Sequence, residues 1–365
     1  MRRLSGDEVR WLRLRAQGLS GGTDATPTTV TGAVRAAAAL QAQSSAPARA
    51  QVWSRSDGPT RAAVDAAFAD ASVVRTWLMR GTIHAVLAED LRPMLAVLGP
   101  VNLRAGQRRR DQLGLTPQLC ERAMTALPQV LARGRTGVGS RTLTRAELVA
   151  ELAEHGVVLD LKTQQPPHLL AFAANSALIC RGPDAARDEP TYVLLDEWLK
   201  PGPPLERDEA LSLLARRYFA AYGPASAADL VAWSGLPAAD AKQAVELIRD
   251  DLDEVGHDGV RLLLLRGTPA PEPPAEPHRL LGRFDPYLLG HRSRDPILDP
   301  AFAKRVNAGG GMIAQTMLAD GRVVGTWTAG GGLEPFGDLS TVAEAAFREA
   351  AAEYLRWSTT DNQRA

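Results

Sequence analysis

Polar and apolar positions along this chain spell out one helix-opening phrase three times. Leu4-Ser5-Gly6-Asp7-Glu8-Val9 offers a serine N-cap, a glutamate three residues on to close a capping box, and Leu4 placed to staple onto Val9. Leu143-Thr144-Arg145-Ala146-Glu147-Leu148 repeats it by residue type, and Ala225-Ser226-Ala227-Ala228-Asp229-Leu230 is a weaker third copy. The stretch after the third copy has the clearest pattern. Residues 226–233 predict a short helix, Ser234-Gly235-Leu236-Pro237 a turn, and 237–248 a second helix with proline near its first position. Residues 252–255 and 260–265 then alternate as two strands around Gly256-His257-Asp258-Gly259. Helix, turn, helix and β-hairpin is the winged-helix plan.

The other two copies fit the same plan. After the first, residues 60–71 predict a helix with Val64 and Phe68 on one side, and 73–79 and 82–87 a hairpin around Arg80-Gly81. After the second, a helix over 168–178 leads into Ile179-Cys180-Arg181-Gly182 and a strand over 191–195. Residues 268–277 are too proline-rich for a packed element and read as a linker. Beyond them, residues 312–318 and 322–328 flank Asp320-Gly321, a strong two-residue hairpin signal, and 340–357 predicts a closing helix. The expected fold is therefore α+β and mainly helical: three tandem winged-helix domains plus a small C-terminal β-rich domain. The boundaries are 1–100, 101–205, 206–267, a linker at 268–277, and 278–365. Generic helical hairpins are the competing reading of the periodicity.

Composition adjusts this picture little. Hydrophobic residues make up 45% and aromatics only 5%, with alanine prominent, as in closely packed helices. Cys120 and Cys180 stand far apart in no ligand spacing, so neither a disulfide scaffold nor a cysteine zinc site is expected, and no metal or cofactor is called for. No long apolar stretch comes after Met1-Arg2-Arg3, so a cytoplasmic, nucleoid-associated protein without membrane contact is expected. Formal net charge is zero, but its distribution is uneven. Arg104, Arg108, Arg109, Arg110, Arg122, Arg133, Arg135, Arg141 and Arg145 face only Asp111, Glu121 and Glu147 between residues 101 and 150. Acid collects instead at Asp250, Asp251, Asp253 and Glu254. The front half thus offers a phosphate-binding face, unless arginine merely replaces lysine throughout.

The second helices are poorly equipped to read base edges. Residues 237–248 carry Asp240, Lys242 and Glu246; residues 168–178 have Asn175 as their best polar reader; the first copy adds little beyond Arg35. They look like scaffold.

Several runs resemble the AlkZ/YcaQ winged-helix DNA glycosylases. They are Leu40-Gln41-Ala42-Gln43, Trp53-Ser54-Arg55, Val74 through His84, Ala88-Glu89-Asp90-Leu91, Arg283 through Arg292, and Asp320 through Trp327. The resemblance covers almost the whole chain. It implies a C-shaped assembly of three winged helices and a β-rich end domain acting on double-stranded DNA; oligomeric state is open, with a monomer as the default expectation. It also implies hydrolysis of the N-glycosidic bond of alkylated purines, including bulky or cross-linked adducts. Gln41-Ala42-Gln43 matches the Gln-x-Gln branch, associated with self-resistance to alkylating natural products.

Gln41 and Gln43 are then the expected catalytic pair. An amide has no useful basicity, but two amides can hold and orient a water beside C1′. Positioning suffices only when the leaving group is already good, as with a cationic N7- or N3-alkylated purine. In a continuous helix residues i and i+2 point about 200° apart, so the helix that begins near Thr28 has to end around Gln41. The bland reading makes both amides polar caps at a helix end. Lys162, Lys200, Lys242 and Lys304 are the chain's lysines, none near the motif in sequence, so a monofunctional, water-using enzyme is expected. Arg55, Arg75, Arg80, Thr82, His84, His291 and Arg292 are the further candidates for DNA or lesion contact. A core role for His84, surface salt bridges for Arg75 and Arg80, and a turn cap for Asp285 are the alternatives. A non-catalytic DNA-binding protein, whether regulator or lesion shield, and a binder of the genotoxin itself remain as other functions.

Overall fold

The computed structural model describes residues 2–22, 26–132, 141–202 and 205–359. β1 (Arg2–Arg3) enters α1 (Gly6–Ala16), where Ser5 and Glu8 form a reciprocal capping box. α2 (Val30–Ala37) is capped by the Thr29 hydroxyl and stops at Ala38, whose φ of 57° turns the chain into β2 (Leu40–Gln41). α3 (Ser45–Trp53) and α4 (Arg61–Ala69) precede the first wing, β3 (Val73–Trp77) and β4 (Ile83–Leu87). The second unit runs through α5 (Ala88–Gln112), α6 (Pro117–Ala132), β5 (Leu143–Thr144), α7 (Arg145–Glu154) and α8 (Gln165–Asn175). It closes with β6 (Ile179–Arg181), β7 (Thr191–Leu194) and the single turn α9 (Leu195–Trp198). The third contains α10 (Arg207–Tyr222), α11 (Ala227–Ser234), α12 (Ala238–Leu247), β8 (Leu252–His257) and β9 (Val260–Leu265).

Past residues 268–277, which form no helix or strand, lies the C-terminal region. It has β10 (His278–Leu281), α13 (Pro286–Leu289), α14 (Ala303–Val306), β11 (Thr316–Ala319), β12 (Arg322–Trp327), β13 (Leu333–Pro335) and α15 (Thr341–Thr359). Its four strands pair in chain order, and Asp320-Gly321, both at positive φ, make the tight β11–β12 turn. Trp327, Phe347 and Tyr354 pack α15 onto this sheet. The chain is thus mainly helical α+β, with a helix–helix–hairpin unit three times over and a β region at the end.

Three features of the packing are not local. α5 runs unbroken through residue 100, where a boundary was expected. Gly99 lets this helix pack closely on α8: a Cβ there would stand 2.4 Å from the Asn175 carbonyl oxygen. One helix therefore serves the cores of both units. Second, the first two wings share a six-stranded sheet, ordered β2-β4-β3-β6-β7-β5 and joined at Arg75 opposite Arg181, which covers an edge of each hairpin. Third, β1 pairs in parallel with β8, so Leu4, Val9 and Leu12 bury against Val255, Leu262 and Leu264 of the third wing. Leu14 and Leu19 continue into the C-terminal core beside Leu281, Tyr287 and Val323. The first twenty residues thereby fasten the far end of the chain.

Candidate active site

The Gln motif sits where a helix has ended. After Ala38 the backbone is extended, and Gln41 pairs across β2–β4 with His84, which in turn faces Thr76 on β3. Ala42 N–H donates to the Ile83 carbonyl, so the extended geometry carries past the strand. In extended chain, residues i and i+2 share a face. Gln41 and Gln43 accordingly meet, with Gln41 Nε2 donating to Gln43 Oε1 at 2.8 Å. The condition set by helix geometry is satisfied, and neither side chain caps a helix. Gln41 is buried while Gln43 is exposed. Their mutual bond uses one donor and one acceptor, and among the described residues no protein group bonds Gln41 Oε1 or the Gln43 amide NH2.

The backbone of this pair is held from behind by Gln51, which sequence reasoning missed. Gln51 is fully buried on α3, and its Nε2 donates both to the Gln41 carbonyl at 3.1 Å and to the Arg283 carbonyl at 2.8 Å. Arg55, one turn further along, donates to the Gln51 carbonyl at 2.6 Å and to Asp285 Oδ1 at 2.7 Å. Arg55 and Asp285 are both wholly buried. Asp285 also accepts the Tyr287 N–H and so caps α13. The C-terminal region is thus fixed to the Gln motif through α3. A glutamine ten residues downstream carries no local signal; its role comes from bridging the Gln41 and Arg283 carbonyls in the folded chain.

This burial corrects two expectations. Arg55 has no solvent-facing guanidinium to offer DNA. Arg75 is likewise interior, 4% exposed, where it bonds Ser45, the Gly182 carbonyl at 2.6 Å and Asp184 at 2.8 Å, with its guanidinium over the Phe68 ring. Neither guanidinium stands at the surface, where a phosphate or a surface salt bridge would need it. Both are buried latches, joined by Arg49, which forks onto Asp188 at 2.7 and 2.8 Å and onto Asp65.

The remaining candidates divide. His84 is a core histidine, 3% exposed, its Nδ1 2.9 Å from the Thr82 carbonyl oxygen. Burial, aided by the nearby Arg80 charge, drags its pKa down to about 3, so it is neutral beside Gln41 at physiological pH. The Thr82 hydroxyl donates to the Met79 carbonyl at 3.1 Å. Arg80 occupies the wing turn at φ 54° and reaches the Trp233 carbonyl of the third unit. His291 lies apart from the motif, its Nε2 3.0 Å from the Tyr222 carbonyl oxygen, and burial together with Arg13 lowers its pKa to about 3. Arg292 is exposed, held through its backbone N–H by Asp229 at 2.9 Å. Of the expected set, the structure therefore groups Gln41, Gln43, His84, Thr82 and Arg80, and sets His291 and Arg292 elsewhere.

Several polar side chains of the helices expected to be weak readers are bonded within the protein. The Asn175 amide bonds Asn102 and the Ala171 carbonyl, Arg35 pairs with Glu89, and Asp240 pairs with Arg207. Lys162 is exposed in the turn before α8, within the second unit. Arg133 and Arg135 of the expected basic face lie outside the described residues. Beside the motif a recess of about 450 Å3 opens between Ser44, Pro47 and Ala50 on one side and Arg283, Trp327 and Tyr354 on the other.

Comparison with known proteins points one way. The family model described as DNA glycosylase AlkZ-like matches residues 34–357. The chain is similar to an interstrand DNA cross-link repair glycosylase of Streptomyces sahachiroi, 29% identical over 336 residues that cover 85% of this chain and 88% of that protein. Its fold matches the solved structure of Streptomyces sahachiroi DNA glycosylase AlkZ with a TM-score of 0.81 at 25% identity, over 98% of this chain and 97% of the other.

Proposed function

Because the chain belongs to the DNA glycosylase AlkZ-like family and is a DNA glycosylase, hence a hydrolase, we propose that it releases alkylated purines with a glutamine-positioned water. The observation that carries this reading is the 2.8 Å bond between Gln41 and Gln43. It locks two amides side by side and leaves an acceptor oxygen and a donor NH2 for a water and its neighbours. Gln41 Oε1 accepts from the water and aims its lone pair at C1′; the Gln43 amide steadies the same water or the sugar.

The chemistry of these groups sets the substrate. Hydrolysis at C1′ passes through an oxocarbenium-like state, and a neutral base would need protonation to leave. Neither amide is an acid, and His84 carries no proton to give at neutral pH. Asp184 and Asp285 are each engaged by an arginine. A purine alkylated at N7 or N3 is already cationic and departs without that help. Similarity to an enzyme named for interstrand DNA cross-link repair supports extending the reading to bulky and cross-linking adducts. The recess beside Ser44 and Trp327 gives such bulk somewhere to go. Water is the nucleophile, so the enzyme is monofunctional, and it acts in DNA repair with self-resistance to a DNA-alkylating natural product as its setting.

A base-release assay on a duplex containing N7-alkylguanine tests this. Gln41→Ala and Gln43→Ala should each slow single-turnover release by about 100-fold, the scale of losing nucleophile positioning. Unchanged release in the double variant would remove the mechanism. Borohydride should trap no protein–DNA adduct, since no amine takes part.

A further inference from the structure

A second recess, of about 530 Å3, lies between the tip of the first wing, α5, the start of α8 and the α11–α12 turn. Arg80, Arg109, Arg110 and His168 supply its charge, Trp77 and Phe172 its aromatic wall, and among the described residues no aspartate or glutamate lines it. Nor does any of the three guanidiniums meet a carboxylate of the described residues. Arg80 bonds the Trp233 and Ala232 carbonyls, Arg109 reaches Gln112 at 3.4 Å, and Arg110 bonds the Leu103 carbonyl at 2.7 Å and Gln107 at 2.8 Å. Arg110 also lies over the Phe172 ring, 5.0 Å from its centre. Three cations gathered without a counter-charge leave a concave positive potential that an anion relieves. His168 registers that potential: burial and then the charges of Arg109 and Arg110 hold its pKa below the ordinary histidine range. Exposed Arg104 and Arg108, one turn apart on α5, extend the basic edge past the recess.

We propose that this recess holds a backbone phosphate of the DNA on which the enzyme acts, with the deoxyribose against Trp77 and Phe172. The inference rests on the glycosylase reading and adds an anchor to it. The anchor stands at the tip of the wing whose β4 strand carries His84 beside Gln41, so a phosphate fixed there sets the register of the strand relative to the motif. Arg80 and Arg109 present donors to the phosphate oxygens, and His168 gains a proton as the anion enters.

The test places a charge in the recess without removing a native contact. Ala105 is exposed on α5 and lines the recess. Ala105→Glu should weaken binding of the full-length protein to an alkylated duplex by about tenfold, and Ala105→Gln should leave it near wild type. In the same titrations Arg109→Gln should lower the slope of log affinity against log salt by about one phosphate contact. Release at saturating DNA should be unchanged in Ala105→Gln. A thermal melt of each variant establishes folding, and should Arg109→Gln fail to fold, the Ala105 pair still decides. Equal affinity of Ala105→Glu and Ala105→Gln, alongside normal base release by wild type, would overturn the recess and spare the glycosylase. Inorganic phosphate stabilising wild type but not Ala105→Glu, with duplex binding equal in both, would assign the recess to a free anion and overturn it as well. Wild type that neither binds duplex nor releases base would sink both.

Discussion

Two groups of arginines flank the first wing and have opposite fates. At its base, Arg49, Arg55 and Arg75 are interior, and each grips a carboxylate: Asp65 and Asp188, Asp285, and Asp184. At its tip, Arg80, Arg109 and Arg110 gather in an open recess with no carboxylate of the described residues among them. The partners of the first group come largely from the second wing and the C-terminal region, so these ion pairs tie units together. The second group has been left its charge. An arginine-rich chain of zero net charge thus spends some arginines on assembly and keeps others for a ligand.

The strongest way to break this contrast is to unpair a base arginine. Asp285→Ala leaves the Arg55 guanidinium buried and uncompensated, and should cost about 3–5 kcal/mol in urea denaturation, enough to unfold a marginal protein. The double variant Arg55→Met, Asp285→Leu should recover most of that loss, because no charge then remains inside. A loss below about 1 kcal/mol in Asp285→Ala would mean that Arg55 finds solvent, and the distinction between the two groups would fall.

His84 is buried within the first wing and feels the charge of Arg80. Its native pKa of about 3 is below the unfolded value near 6.5, so above pH 6.5 it is neutral in both states and contributes nothing. Below that, the unfolded chain takes up a proton that the native one refuses. Stability falls by about 1.4 kcal/mol per pH unit as the pH drops from 6.5 towards 3. Wild type should therefore lose about 2 kcal/mol between about pH 6.5 and 5 relative to His84→Asn. Arg80→Gln should shrink the loss only towards pH 3, where the native ring titrates, since the Arg80 charge helps to depress the histidine. Parallel pH curves for wild type and His84→Asn would show that the site is open to water.

The sequence disclosed helices and wings because they are written locally. The Ser5–Glu8, Thr144–Glu147 and Ser226–Asp229 boxes and the Asp320-Gly321 turn all form as their spacing implies. The end of α2 before Gln41 was legible too, since two amides on one water demanded extended chain there. What stayed hidden depends on contacts across the fold. Arg55 and Arg75 look like ligands until Asp285 and Asp184, more than a hundred residues away, are brought against them. Gln51 is silent for the same reason. The parallel pairing of β1 with β8 joins the chain's start to its third wing, which no local pattern announces. The recess arginines were visible only as part of a basic stretch, and it is the lack of a neighbouring carboxylate in three dimensions that separates them from the rest.

The smallest expected effect is the sharpest statement of the difference. Arg109 is exposed, meets no carboxylate of the described residues and repels Arg110 and His168, so it owes nothing to folding. Arg109→Gln should change unfolding free energy by less than about 0.5 kcal/mol, the range of ordinary surface substitutions, with relief of repulsion favouring the folded state. The same change should raise the His168 pKa towards its ordinary value, because one of the two charges that lower it is gone. NMR titration of the His168 ring reads that shift directly. A His168 pKa that does not rise would show that the Arg109 charge does not reach the ring, and would remove Arg109 from the positive potential on which the distinction between the two arginine groups depends.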